Sequence, residues 1–231
     1  MLVSVLLQIT GLEQIPSVLD AQKEISLPLW DLALKGGWIM IPITVLSVIA
    51  VYIFVERYFA ISKAAKTDEN FMNRIKDYIH DGKIDSALAL CNSTDSPIAR
   101  MIEKGIQRIG RPLNDINAAI ENVGRLEIFK LERGLPALAT AAGGAPMIGF
   151  LGTVTGMIRS FYDMTMAGNN IDVGVLSSGI YEALVTTVAG LVVGIIAFFA
   201  YNILVANIEK IVNGLEAHTT EFMDLLNEPV K

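Results

Sequence analysis

The residue best placed to do chemistry in this sequence is Glu182, an acid set in a long apolar segment. Between Gly179 and Asn207 it is the one charged side chain, and the next acid or base is Glu209. A carboxylate at the edge of hydrocarbon is costly and is kept mainly where it faces a helix-bundle interior or an ion path. Glu182 is therefore a candidate proton carrier. The alternative is a carboxylate at the head-group boundary that reaches back into water.

Helical spacing indicates which residues share a face with Glu182. At about 100° per residue, Thr186 falls on the same side of the helix, with Gly190 and Gly194 on the flank beside it. Thr187 projects well round the helix from Glu182. Glycine lets neighbouring helices approach closely, and a threonine hydroxyl can form a hydrogen bond across the gap. This face is predicted to contact protein rather than lipid.

A second uncharged segment, residues 134–158, has a matching face. Its small residues recur on one side of a helix, with Thr153 at the edge of the stripe: Ala145, Gly149, Gly152 and Gly156. We expect this stripe to pack against the Glu182 helix and to support assembly of several copies. Pro146 is expected to kink or loosen the helix. Without Glu182, simple close packing would be the better interpretation.

Composition and hydropathy predict an all-α membrane protein with three transmembrane helices. The chain has 231 residues, of which 52% are hydrophobic, and its mean hydropathy is +0.49. Three uncharged runs reach the roughly 20 residues that a helix needs to cross about 30 Å of hydrocarbon. The single cysteine, Cys91, excludes an intramolecular disulfide.

The charges divide the chain into seven segments. Between the first two spans lie 13 of the 18 Lys and Arg residues, which predicts a cytoplasmic location for that region. The N-terminus is then external and the C-terminus cytoplasmic. The segments are an external N-terminal or interfacial segment (1–35), a first transmembrane helix (36–55), a cytoplasmic helical region (56–133), a second transmembrane helix (134–158), an external loop (159–178), a third transmembrane helix (179–207) and a cytoplasmic C-terminal helix or tail (208–231).

Some local structure is also predicted. An interfacial helix and an ordinary linker are equal alternatives for residues 25–35, and a cleaved signal remains an alternative for the N-terminus. Asp68 is expected to cap the first cytoplasmic helix. The helix that ends near Leu131 is expected to continue into the second span, because no stop signal occurs before Pro136. Long helices are expected to project into the cytoplasm.

Several classes of function are disfavoured. The net charge of −6, without a basic patch interleaved with aromatic residues, argues against nucleic-acid binding. The sequence has no phosphate-binding glycine loop, no dinucleotide motif and no paired metal-ligand spacing, and it therefore implies no cofactor and no metal. No nucleophile has a nearby base, so an enzyme is not expected.

Three stretches resemble the proton-channel subunits of the MotA/TolQ/ExbB family. Residues 145–157, APMIGFLGTVTGM, are similar to that family's second-span motif, and residues 178–191, SGIYEALVTTVAGL, are similar to its third-span motif. The first span, which begins GGWIMIP at residue 36 and ends at Glu56-Arg57, is similar to ExbB-like members. The resemblance covers about residues 30–215.

The resemblance implies a role for each matching residue. Glu182 is the essential acid, and Thr153 and Thr187 are hydroxyls that face the pore. Helical projection instead places Thr186 nearest Glu182, so the choice between Thr186 and Thr187 stays open. The resemblance further implies a pentamer in the bacterial inner membrane, in contact with lipid, around an ExbD- or TolR-like single-span subunit, with force passed to a TonB-like protein.

Two alternatives to TonB-dependent transport remain. A TolQ-like envelope subunit or a motility stator would use the same proton chemistry for other mechanical work. A passive membrane scaffold would need the small faces but not the acid. The identity of the partner proteins distinguishes the first alternative from TonB-dependent transport. A requirement for Glu182 distinguishes proton-driven function from a passive scaffold.

Overall fold

The structure, a computed structural model, describes residues 36–66, 70–166 and 173–227. The predicted N-terminal segment (1–35) and the capping role of Asp68 lie outside the described residues. So do residues 167–172 of the predicted external loop and the last four residues of the chain.

The described residues form seven α-helices and no strand. The helices are α1 (Met40–Ala64), α2 (Phe71–His80), α3 (Ile84–Ser93), α4 (Pro97–Ile106), α5 (Leu113–Glu132), α6 (Leu135–Met166) and α7 (Val173–Asn227).

Three of these helices, α1, α6 and α7, are long and apolar enough to cross a membrane. Large apolar side chains on their outer faces are exposed, among them Tyr52, Phe150 and Phe199. In a bilayer such a face meets lipid instead of water. Helix α7 has 55 residues, about 80 Å at 1.5 Å per residue, so it extends far beyond the hydrocarbon.

Helices α6 and α7 contact each other almost backbone to backbone. A Cβ atom built on Gly149 would lie 3.2 Å from Cα of Gly190 and 2.8 Å from the carbonyl oxygen of Thr186. A Cβ on Gly156 would lie 2.8 Å from Cβ of Ala183. The small stripe of α6 therefore packs against α7 of the same chain, as expected, and its role in assembly of several copies stays a prediction.

Pro146 lies inside α6, and the helix continues through it. Its ring occupies the space beside Gly194, where an added Cβ would lie 2.7 Å from Cδ of the proline. The same Cβ would lie 3.0 Å from the carbonyl oxygen of Ala142, four residues before the proline. Glycine at 194 thus leaves room for the ring and for the carbonyl that the proline deprives of a helical donor.

The expected continuous helix from the cytoplasmic region into the second span is interrupted. Arg133 has ψ 127° and Gly134 has φ +89°, a left-handed conformation that glycine adopts at little cost. Helix α6 restarts at Leu135, and Pro136 lies in its first turn, where a missing backbone donor does no harm.

Helices α2 to α5 form a bundle that includes the end of α7. Its core contains residues from all five helices, among them Phe71, Ile102, Ile120 and Phe222. Ser96 begins α4 by accepting a hydrogen bond from the backbone N–H of Ala99 at 3.3 Å. Because Phe222 is fully buried here, α7 belongs to both the membrane bundle and this one.

Ion pairs connect the helices of this bundle to each other and to α1. The buried carboxylate of Glu127 accepts hydrogen bonds from Arg100 and Lys130, each at 2.6 Å. Burial acts to raise the pKa of Glu127, but these two bonds outweigh it and lower the pKa. Lys63 of α1 pairs with Asp95 at 2.7 Å, which connects the end of the first span to the bundle.

Substitution of Gly149 is expected to separate α6 from α7. Gly149→Leu would place a side chain where backbone atoms already lie, so the protein should lose thermal stability in mild detergent. The matched control is Gly143→Leu on the same helix, where no described atom comes within 4 Å of the new Cβ. Equal thermal stability of the two variants, measured by loss of the folded protein on heating, would contradict this packing.

Cys91 is expected to report unfolding of the α2–α5 bundle. Burial, with a smaller contribution from the carboxylate of Glu103, raises the pKa of its thiol to about 12. Since the thiolate is the reactive species, maleimide labelling near neutral pH should be about a thousandfold slower than for a free thiol. Labelling is followed by mass spectrometry with and without denaturant. In the control, Cys91→Ser with Ser93→Cys, the thiol is exposed and should react quickly in the folded protein.

Candidate functional site

Glu182 lies in the part of α7 that packs on α6, and its side chain is half-buried. Its neighbour Ala183 is buried against Gly156 of α6. The carboxyl group lies beside Gly37, just before α1: a Cβ built on Gly37 would be 3.2 Å from Cδ of Glu182 and closer still to Oε1. The acid therefore lies where three chain segments meet.

Glu182 faces a cavity of about 380 Å³ between the start of α1 and helices α6 and α7. Besides Glu182 the cavity has two charged lining residues, Arg159 and Asp163. Its lining residues are Gly36, Trp38, Ile39, Gly152, Thr155, Gly156, Arg159, Ser160, Asp163, Ser178, Gly179, Glu182, Ala183 and Thr186. A half-buried carboxylate can thus exchange protons with water in a polar, open-sided space.

Thr186 is buried at the same junction, 2% exposed. Its hydroxyl donates to the carbonyl of Ala183 at 2.7 Å, and the carbonyl of Gly149 lies 3.5 Å away. Its methyl group would be 3.4 Å from a Cβ on Gly36. Thr186 accordingly joins α7 to α6 and to the start of α1, on the side that Glu182 occupies.

Thr187 and Thr153 form a second group. The Thr187 hydroxyl donates to the carbonyl of Gly149 at 2.9 Å and lies 3.5 Å from the hydroxyl oxygen of Thr153. Thr153 in turn donates to the carbonyl of Phe150 at 2.6 Å. Thr153 is buried and Thr187 half-buried, and two adjacent hydroxyls of this kind could hold water or relay a proton.

The structure does not bring the four polar residues into one cluster. Glu182 and Thr186 line the cavity, and Thr153 and Thr187 are not among its lining residues. On an α-helix, residues 182 and 186 are about 40° apart, whereas 182 and 187 are about 140° apart. Thr186 and Thr187 therefore occupy different surroundings, although both reach toward the carbonyl of Gly149.

The small residues of the predicted stripe all lie at or beside the contact between α6 and α7. Ala145 and Gly149 face Gly190, Gly152 faces Thr186, Gly156 faces Ala183, and Gly194 faces Pro146. Thr186 packs so close to Gly152 that a Cβ added at Gly152 would lie 2.8 Å from Cβ of the threonine.

Sequence reasoning missed part of the cavity. In the sequence, Gly37 falls only within the motif GGWIMIP, and Thr155 and Ser160 have no predicted role. Arg159 and Asp163 fall in the predicted external loop (159–178), whereas in the structure they lie on α6, which continues to Met166. Helical spacing offers a signal for the residues on α6, because positions 152, 156, 159 and 163 share one side of a helix. No signal of this kind points to Gly37, which precedes α1 and reaches Glu182 only through the tertiary fold.

No group of three or more His, Cys, Asp and Glu side chains that could hold a metal ion occurs within residues 36–66, 70–166 and 173–227. The chemistry that the described site supports is proton binding by a carboxyl group next to hydroxyls and a polar cavity.

Comparison of the sequence with known proteins identifies a family. The model of the MotA/TolQ/ExbB proton channel family matches residues 93–217, which include both packed spans, Glu182 and the threonines.

Three relatives illustrate the range of similarity. An ExbB-like biopolymer transport protein of Synechocystis sp. is 29% identical over 77% of this chain and 71% of its own length. The Tol-Pal system protein TolQ of Pseudomonas aeruginosa is 28% identical over 83% of this chain and 87% of its own length. The biopolymer transport protein ExbB of Neisseria meningitidis is 25% identical over 79% and 88%, respectively. The chain belongs to the MotA/TolQ/ExbB proton channel family.

Proposed function

We propose that this chain is the proton-conducting subunit of an inner-membrane motor that couples the proton-motive force to TonB-dependent outer-membrane transport. The observation that carries the proposal is the position of Glu182, an acid in an apolar helix that faces a polar cavity. Similarity to proteins named ExbB supports the transport role.

The proposal assigns a role to each polar residue. Glu182 binds and releases the proton. Thr153 and Thr187 provide hydroxyls that hold water next to the path, and Thr186 keeps α7 in register with α6 and with the start of α1. The carbonyl of Gly149, shared by two threonines, adds an acceptor at the same level.

The described residues of one chain do not enclose a conducting path, because the three spans pack on each other rather than around a channel. We propose a homo-oligomer, a pentamer as in the family, around the single span of an ExbD- or TolR-like partner that contributes an aspartate. Each proton that crosses 100 mV releases about 2.3 kcal/mol, which is available for movement of one subunit against the other. A TonB-like protein would receive the force.

A TolQ-like role is the second candidate, supported by the match to TolQ over 87% of that protein's length. Both roles need the same proton chemistry, so variants of Glu182 do not separate them. Purification of the complex from its native membrane separates them: ExbD- and TonB-like chains would support the transport motor. TolR- and TolA-like chains would support the envelope role instead.

The proposed orientation places the N-terminus in the periplasm and the C-terminus in the cytoplasm. A reporter enzyme that works only in the cytoplasm should be active when fused after Lys104 in α4, because basic regions are retained inside. A reporter enzyme that works only in the periplasm should be active when fused after Met166 at the end of α6. The reverse pattern would overturn the orientation and the side from which protons reach Glu182.

Replacement of Glu182 tests the proton-carrier role. Glu182→Gln keeps the size of the side chain but cannot release a proton, so energised uptake through an outer-membrane receptor should be abolished while complex levels stay near wild type. Glu182→Asp should retain part of the activity. Thr153→Val and Thr187→Val should each reduce uptake less than Glu182→Gln, since water can replace a hydroxyl.

The matched control is Glu209→Gln, the same change at an exposed position on the same helix, which should leave uptake unchanged. Normal uptake by the Glu182→Gln variant would contradict the proton-carrier role and favour a passive scaffold.

A further inference from the structure

Gly37 is in direct contact with the carboxyl group of Glu182, although 144 residues separate the two positions along the chain. A Cβ built on Gly37 would lie 4.0 Å from Cγ and 3.2 Å from Cδ of Glu182, and it would overlap Oε1. The space beside this backbone is thus occupied by the functional carboxylate.

Backbone conformation alone does not explain a glycine at this contact. Gly37 has φ +63°, which disfavours other residues, but Gly82 with φ +71° has the same property. At Gly82, no described atom comes within 4 Å of an added Cβ. Gly37 therefore differs from Gly82 in what fills the space: a side chain at 37 would displace the carboxylate of Glu182.

The start of α1 is held in place on both sides of Gly37. A Cβ on Gly36 would lie 3.4 Å from the methyl group of Thr186, and Cγ2 of Ile39 would lie 3.4 Å from a Cβ on Gly152. Gly36 and Ile39 are both buried. Because Gly36 packs against α7 and Ile39 against α6, the backbone between them cannot move away from Glu182 without breaking those contacts.

We propose that Gly37 is a positioning residue for Glu182: the first span leaves a gap in which the carboxylate rests, on the cavity side of α7. This inference rests on the proposed proton-carrier function and adds to it a role for the first span. The resting place lies away from the Thr153–Thr187 pair, which does not line the cavity.

A cysteine pair tests the geometry independently of function. In a Cys91→Ser background, Gly37→Cys with Glu182→Cys should form a disulfide within one chain on mild oxidation, detected as joined peptides by mass spectrometry. The control pair, Gly37→Cys with Thr187→Cys, should remain reduced, because Thr187 faces Gly149 and Thr153. Equal cross-linking of both pairs, or of neither, would overturn the contact.

Gly37→Ala tests the positioning role with the acid in place. The new methyl group should expel the carboxylate into the cavity, so a water-soluble carbodiimide should modify Glu182 several-fold faster than in the wild-type complex. Proton-driven work should fall by about tenfold or more, since a shift of about 1 Å at a reacting group can cost about a hundredfold in rate.

Gly82→Ala is the matched control, because it imposes the same backbone strain far from Glu182 and should change neither the modification rate nor the work. An unchanged or slower modification rate in Gly37→Ala would overturn the positioning role. Normal proton-driven work by the Glu182→Gln variant would instead overturn the proton-carrier function. That result would not change the expected disulfide or the expected rates of carbodiimide modification.

Discussion

The close approach of α6 to α7 at Gly149 and Gly190 is the constraint on which the rest of the membrane part depends. Lipid tails are as apolar as the side chains they would replace, so burial of apolar surface does not hold spans together. Packing and hydrogen bonds at short range must do so. Thr187 can donate to the carbonyl of Gly149 at 2.9 Å only because neither glycine has a side chain that keeps the backbones apart.

That contact also determines where the polar groups can be. With the backbones this close, the face between the helices has no room for a carboxylate, and Glu182 lies beside it rather than in it. Thr186, one turn further along, is small enough to fit against Gly152 and to bond within the helix. The acid is consequently left at the edge of the contact, next to the cavity and the start of α1. Exclusion from the tightly packed face is therefore sufficient to explain the position of the Glu182 carboxylate.

The sequence predicts those features that follow from local periodicity. Hydropathy indicates the three spans, and the 3.6-residue repeat indicates the stripe through Gly149 and the shared side of Glu182 and Thr186. Two other features depend on the fold. The break at Gly134 is not visible, because a glycine can also continue a helix at modest cost. The contact of Gly37 with Glu182 requires the position of α1 on the other two spans, which no periodicity within α1 reports.

Helix α7 limits how Glu182 can move. From Glu182 to Phe222 is about 60 Å of helix at 1.5 Å per residue, with α6 packed on one part and the α2–α5 bundle on the other. Rotation of the whole helix would break both sets of contacts, including the buried Phe222. Side-chain rotation of Glu182 breaks neither. The packing of α7 is continuous between these two parts, because Ile211 contacts both cores. Release of the carboxylate from its place beside Gly37 into the cavity therefore needs only a change of rotamer, while α7 stays held at both ends.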